Sequence, residues 1–247
     1  MTGAGADVVV IGGGVIGLAC AWRIAQRGAT VTVVDPAPAS GASHVAAGML
    51  APVTEAHVGE DALLRLNFES ARRWPAFAAE LAASAGQDIA FEEAGTLAVA
   101  FDNDDRAALE VLATHLDALG LSVPRLRSRE LRTLEPMLAP TVRSGLWAAG
   151  DHRVDPRAVT AALVGAGRRH GVTLVARRVA RLDCARLDGD GDGDGRPAVR
   201  GVTLDDGQRI AARSVVLAAG AAAGRLDGLT DADRPPVRPV KGQILTV

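Results

Sequence analysis

Residues 7–35 read DVVVIGGGVIGLACAWRIAQRGATVTVVD, and their pattern decides the fold. Residues 7–11 are a short apolar run rich in β-branched side chains, the signature of a buried strand. Gly12-Gly13-Gly14-Val15-Ile16-Gly17 follows at once. A helical pattern then continues to about Arg27 and is stopped by Gly28. Residues 30–34 form a second β-branched run, closed by Asp35-Pro36. Strand, glycine turn, helix and strand in this order make the opening of a nucleotide-binding βαβ unit. Gly12 permits the tight turn out of the strand. Gly14 lets backbone approach a pyrophosphate, and Gly17 lets the helix lie close to the sheet. The helix start offers unpaired N–H groups and a positive dipole end to the phosphates. Asp35 stands eighteen residues after Gly17, where its carboxylate can accept hydrogen bonds from an adenosine ribose. It would repel a 2′-phosphate, so NADP is disfavoured.

The spacing does not by itself choose between FAD and NAD. Two later stretches favour FAD. Residues 43–52 are small and apolar around Gly48, so backbone can lie against a large flat ligand. Val215-Val216-Leu217-Ala218-Ala219-Gly220 is a second strand ending in glycine, which fits a cofactor that crosses the whole domain.

Between these stretches the chain alternates helix and strand. Residues 61–83 carry apolar side chains at helical spacing through Leu63, Leu66, Ser70, Trp74 and Phe77, with Pro75 expected to kink or divide the helix. Two strands are expected around Gly95, within 89–101. Helices are expected over 104–119, over 128–134 with Ser128 as cap, and from Asp155-Pro156 to His170. Further strands are expected at 142–148, 172–175, 179–183, 199–204, 208–211 and 214–218, with a last extended piece from 237 to 247. The alternating Asp/Gly run 188–195 resembles the start of a calcium loop. Gly201 stands where the closing bidentate Glu belongs, so the run reads as a solvated connection.

Composition limits the function. At 247 residues and 48% hydrophobic, the chain can build a substantial core. A net charge of −2 argues against nucleic-acid or membrane-surface partners. Lys241 is the only lysine, which with the abundant Ala and Gly reads as compositional bias. The start has no basic region ahead of its apolar run and reads as a strand, not a signal peptide; no stretch approaches a membrane span. The two cysteines, Cys20 and Cys184, suggest no disulfide framework, which fits a reducing cytoplasm. Cys20 is expected among small residues of a core helix. The five histidines show no metal-ligand spacing, and His115 and His170 are expected on helix surfaces. No nucleophile elbow or catalytic triad is visible.

Taken with the glycine loop and Asp35-Pro36, the run Ser43-His44-Val45-Ala46-Ala47-Gly48-Met49-Leu50-Ala51-Pro52 resembles the D-amino-acid oxidase-like flavoproteins, and among them the glycine oxidases of thiamine biosynthesis. The Ala-Ala-Gly-Met-Leu piece followed by Glu55 carries most of the likeness. Gly95-Thr96-Leu97, Val154-Asp155-Pro156, Ala219-Gly220 and Pro239-Val240-Lys241-Gly242-Gln243 extend it along the chain. The resemblance implies an α/β fold: a Rossmann-like FAD-binding domain formed by 1–84 and 152–228, interleaved with an antiparallel-sheet substrate domain formed by 85–151 and 229–247. It places Val15 and Ile16 at the pyrophosphate, Asp35 and Pro36 at the ribose, Ala42 and Ser43 on the phosphate side, Ala47, Gly48 and Met49 along the flavin, and the backbone of Val179 at the adenine. It implies FAD-dependent oxidative deamination of glycine or a small amine or D-amino acid to an imine and then an α-keto acid. Oxygen would reoxidise the flavin to give hydrogen peroxide. The alternatives are a related sarcosine- or D-amino-acid dehydrogenase and a non-catalytic FAD-binding fragment. Homo-oligomers are possible. Family members continue beyond the Pro-Val-Lys-Gly strand, so the chain is expected to be C-terminally truncated, with the arginine for the substrate carboxylate outside it. No catalytic residue is assigned.

Overall fold

A computed structural model of the chain describes residues 5–185 and 198–244. The Asp/Gly run 188–195 lies outside the described residues. The chain divides into two compact units: one comprises Met1–Ala47, Leu81–Asp88 and Pro156–Val247, the other Gly48–Glu80 and Ile89–Asp155. Relative to the division expected above, residues 48–80 and 152–155 lie with the second unit, and 85–88 and 229–247 with the first.

The first unit opens with β1 (Ala6–Ile11), α1 (Val15–Ala25) and β2 (Val31–Val34). β1 pairs in parallel with β2 on one side. On the other side it pairs in parallel with a strand from the far end of the sequence, 209–217. A strand paired on both edges and covered on both faces should be apolar throughout. Val9 and Val10 are both fully buried, and they enter different cores. Val10 packs with Ala21 and Ala25 of α1, while Val9 and Ile11 pack with Val34, Val202 and Leu204 on the opposite face.

In the second unit, β3 (Met49–Leu50) pairs antiparallel with a two-residue strand, 152–153. α2 (Asp61–Ala85) begins in this unit and runs on through Pro75 as one helix of 25 residues, so the proline does not divide it. β4 (Thr96–Ala100), α3 (Asn103–Ala118), β5 (Arg125–Arg127), α4 (Ser128–Leu134) and β6 (Ser144–Ala148) follow, and β6 lies between β4 and β5 in an antiparallel sheet. The unit closes with β7 (His152–Arg153). Val53, Ala113, Leu116, Val123, Leu146 and Ala148 form its core.

Where two strands were expected around Gly95 there is one, starting at Thr96. Gly95 takes a left-handed backbone (φ +70°) under the Trp147 indole, and a Cβ there would stand 2.1 Å from the ring. Glu92 pairs with Arg153 through an isolated bridge and through an ion pair of their side chains, and not as part of a strand. Ser128 is the first residue of α4, not its cap. Its hydroxyl donates to the Val142 carbonyl, while the Glu130 carboxylate accepts the Arg127 N–H at 2.7 Å. α3 is capped by Asp102, whose carboxylate accepts the N–H groups of Asp104 and Asp105, both at 2.9 Å. His115 is largely covered, its side chain 14% exposed and 3.7 Å from Asp61.

The first unit resumes with α5 (Pro156–Arg169), β8 (Thr173–Val175), β9 (Val179–Ala185), β10 (Ala198–Leu204) and β11 (Arg209–Leu217). Its sheet runs β8-β2-β1-β11-β10-β9. Two separate strands, 208–211 and 214–218, were expected where β11 is continuous. Its first half pairs antiparallel with β10 and its second half pairs parallel with β1, so the polar Arg213 marks a change of partner and not a break. Residues 237–244 join no sheet among the described residues. Pro236 and Pro239 have no N–H to donate to a ladder. Among the described residues no helix is long and apolar enough to cross a membrane.

Candidate functional site

The carboxyl ends of β1, β2 and β11 lie side by side, with Ile11 opposite Val34 on one flank and Leu217 on the other. The helix α1 leaves β1 toward β2, while β11 returns on the other side. This is the switch point at which α/β sheets open a crevice. Gly12 takes φ +108°, and a Cβ there would come within 2.3 Å of the Ala218 carbonyl, so the turn and the end of β11 touch through bare backbone. Ala218 donates its N–H to Ile11 at 2.8 Å, and Gly220 (φ +53°) then turns the chain away. A Cβ on Gly17 would stand 1.9 Å from the Gly12 carbonyl, so only glycine lets α1 start this close to β1. Gly14 differs: its Cβ direction meets only the Ser43 hydroxyl, at 3.0 Å.

Two side chains fix this loop. Asp35 accepts the Gly13 N–H through Oδ2 and the Ala37 N–H through Oδ1, both at 2.7 Å. Ser43 Oγ accepts the Val15 N–H at 2.9 Å and so occupies the first amide of α1. The N–H groups of Gly14 and Ile16 have no acceptor among the described residues, and Ile16 is 67% exposed. The loop therefore presents free amide donors at a positive helix end, beside a carboxylate that is half-buried.

The first unit thus brings together Gly12, Gly14, Val15, Ile16, Gly17, Asp35, Ser43 and Gly220. Pro36 and Ala42 are exposed nearby in the chain. Val179, 9% exposed, shares an apolar cluster with Val9, Ile11 and Val34. Ala47 ends a segment of the first unit; Gly48 and Met49 open the second. There Gly48 (φ +79°) accepts the Val154 N–H at 2.9 Å and Met49 pairs with Arg153.

A family model described as DAO, FAD dependent oxidoreductase, matches residues 7–247. The chain belongs to this family of FAD dependent oxidoreductases. The chain is 32% identical over 243 residues to the glycine oxidase of Geobacillus kaustophilus, covering 98% of this chain and 61% of that protein. It is 29% identical over 277 residues to the hydrogen cyanide synthase subunit HcnC of Pseudomonas aeruginosa, covering 97% of this chain and 63% of that one. The crystal structure of the Geobacillus kaustophilus glycine oxidase superposes with a TM-score of 0.78 at 32% identity, over 90% of this chain and 57% of that one. The chain therefore spans about three fifths of the length of these curated relatives. FAD is the cofactor of the family. The free amides at the start of α1 and the side-chain-free surface of Gly14 fit its pyrophosphate.

Sequence reasoning missed a second polar arrangement in this family member, within the second unit. Asp151 is fully buried. Its carboxylate accepts the Val53 N–H at 2.9 Å, the Thr54 N–H at 2.8 Å and the Thr54 hydroxyl at 2.7 Å. The turn held in this way forms one wall of a cavity of about 250 Å³, walled also by Met49–Leu50, Pro52 and the Asn67–Trp74 stretch of α2. The partners of Asp151 lie 98 and 97 residues away in sequence, and no local motif announces them.

Proposed function

We propose that the protein oxidises glycine or a similar small amine or D-amino acid to an imine, which water hydrolyses to the α-keto acid, and that it serves thiazole formation in thiamine biosynthesis. The observation that supports this reading most is the glycine loop with its two fixing side chains, Asp35 and Ser43, in a chain whose relatives include a protein named glycine oxidase. FAD supplies the two-electron acceptor. The chain supplies the hold on it: Gly14, Val15 and Ile16 face the pyrophosphate, Asp35 and Pro36 the adenosine ribose, Ala42 and Ser43 the phosphate side, and the Val179 backbone the adenine. Gly12, Gly17 and Gly220 give the backbone its close approach, and Ala47, Gly48 and Met49 lie along the flavin. The first unit is then the cofactor-binding body and the second carries the substrate side. Oxygen is the expected acceptor of electrons from the reduced flavin. The second reading is a related amine dehydrogenase that passes its electrons to another acceptor.

The test is to purify the protein, record its visible spectrum, and add glycine, sarcosine or D-alanine without oxygen. Bleaching of a flavin band, followed by peroxide formation on admitting air, is expected. Bleaching with electron transfer only to an artificial dye would favour the dehydrogenase. A flavin band that none of the three amines bleaches would overturn the reading.

A further inference from the structure

We propose that the cavity between the 49–55 segment and α2 holds the ammonium group of a small amine, with Glu55 as its counter-charge and Asp151 as the residue that positions it. The ligand class rests on the amine-oxidising reading above; the site itself rests on the geometry. About 250 Å³ suits a molecule of a few heavy atoms, below the range of drug-sized pockets. Leu50, Pro52 and Trp74 give it apolar walls, while Glu55, Asn67 and Ser70 bring a carboxylate, an amide and a hydroxyl to its lining. None of these three polar side chains has an intramolecular partner among the described residues; Asn67 is half-buried, while Glu55 and Ser70 are exposed at the cavity's rim. One anionic acceptor with two neutral polar groups is the complement of an ammonium's three N–H donors. Such a charge-assisted contact is stronger than one between neutral groups.

The support beneath Glu55 is unusual. Glu55 donates its N–H to Ala51 at 3.2 Å and Ala56 donates to Val53 at 3.2 Å, so residues 51–56 form a single tight turn. Burying a carboxylate is costly unless hydrogen bonds satisfy it. Asp151 meets that cost by accepting three hydrogen bonds, all from residues 53 and 54 of this turn. A buried charge dedicated to one surface turn fixes where the next residue, Glu55, stands.

Isothermal titration of the FAD-loaded protein without oxygen, using propylammonium and its neutral counterpart 1-propanol, tests this. Propylammonium should bind roughly tenfold or more tightly than propanol, and Glu55→Gln should remove that preference. Glu69→Gln, which deletes an equal charge already paired with Arg72 on the same helix, should leave it unchanged. Thr54→Val removes one of the three bonds to Asp151 without emptying the turn, and should raise KM for the oxidised amine several-fold with kcat unchanged; an unaltered KM would remove Asp151 from the proposal. Equal binding of propylammonium by the wild type and Glu55→Gln would overturn the site. Preserved binding in a protein whose flavin no amine bleaches would instead refute the oxidase reading and leave the site standing.

Discussion

The two units use the same device in opposite settings. In each, a carboxylate accepts backbone N–H groups from a loop and holds it in shape. Asp35 does so half-exposed at the end of β2, for Gly13 and Ala37. Asp151 does so fully buried, for Val53 and Thr54. The difference teaches what each loop is for. The first loop is bare glycine, its remaining donors are amides, and its carboxylate keeps contact with solvent and so can serve a ligand as well. The second carboxylate is spent entirely inside, and the loop it holds presents side chains to a cavity.

The largest expected effect separates glycines that pack from glycines that bind. Gly17→Val puts branched carbon against the Gly12 carbonyl and should cost on the order of 4 kcal/mol, seen as thermal unfolding at far lower temperature and loss of flavin together. Gly14→Ala, with only the Ser43 hydroxyl in its way, should unfold near the wild-type temperature yet retain little FAD on gel filtration. If both variants behaved alike, the distinction would fail. Next, Asp151→Ala strands two backbone N–H groups in the second unit, and about 3 kcal/mol should vanish from chemical denaturation curves. Asp35→Ala should cost less stability but weaken FAD by about 2 kcal/mol, measured by fluorescence titration, since its carboxylate orders the loop and, on the proposed reading, faces the ribose. Equal stability losses in the two variants would erase the contrast between them.

The smallest effect tests a third carboxylate, in β9. Burial alone would raise the pKa of Asp183, but the Thr203 hydroxyl and the Arg209 and Arg181 guanidinium groups outweigh it and hold the group below the usual aspartate value. A depressed pKa in the folded state adds stability above the unfolded-state value, lost as pH falls through the folded one. Asp183→Asn should therefore cost about 1 kcal/mol at neutral pH and flatten the stability curve below pH of about 4.

The βαβ unit was legible because its signals are local: alternating glycines, a β-branched run, and a carboxylate at fixed spacing. Strand and helix types elsewhere followed from periodicity, but their ends and partners depend on distant residues. Gly95 turns because Trp147 lies over it. β11 continues through Arg213 because two different neighbours take up its two halves. On α2 the stripe Leu63, Leu66, Ser70, Trp74 and Phe77 has the right period for a core face, yet Leu63 and Leu66 are 49% and 64% exposed while Leu64, Ala78 and Leu81 are buried. Period alone does not say which of two apolar rows meets the core. The role of Asp151 was invisible for the same reason, since its chemistry comes from backbone at positions 53 and 54.

The placement of β11 also bears on how the molecule is made. β1 leaves the ribosome shortly before β2, which joins it within some twenty residues. Its other edge waits for β11: Val8 pairs with Ser214 and Val10 with Val216, each 206 residues later. At bacterial or eukaryotic synthesis rates of about 5–20 residues per second, the nascent chain carries an open, valine-rich edge for roughly 10–40 s. Every neighbouring nascent chain on the same messenger offers a strand of matching sequence during that interval.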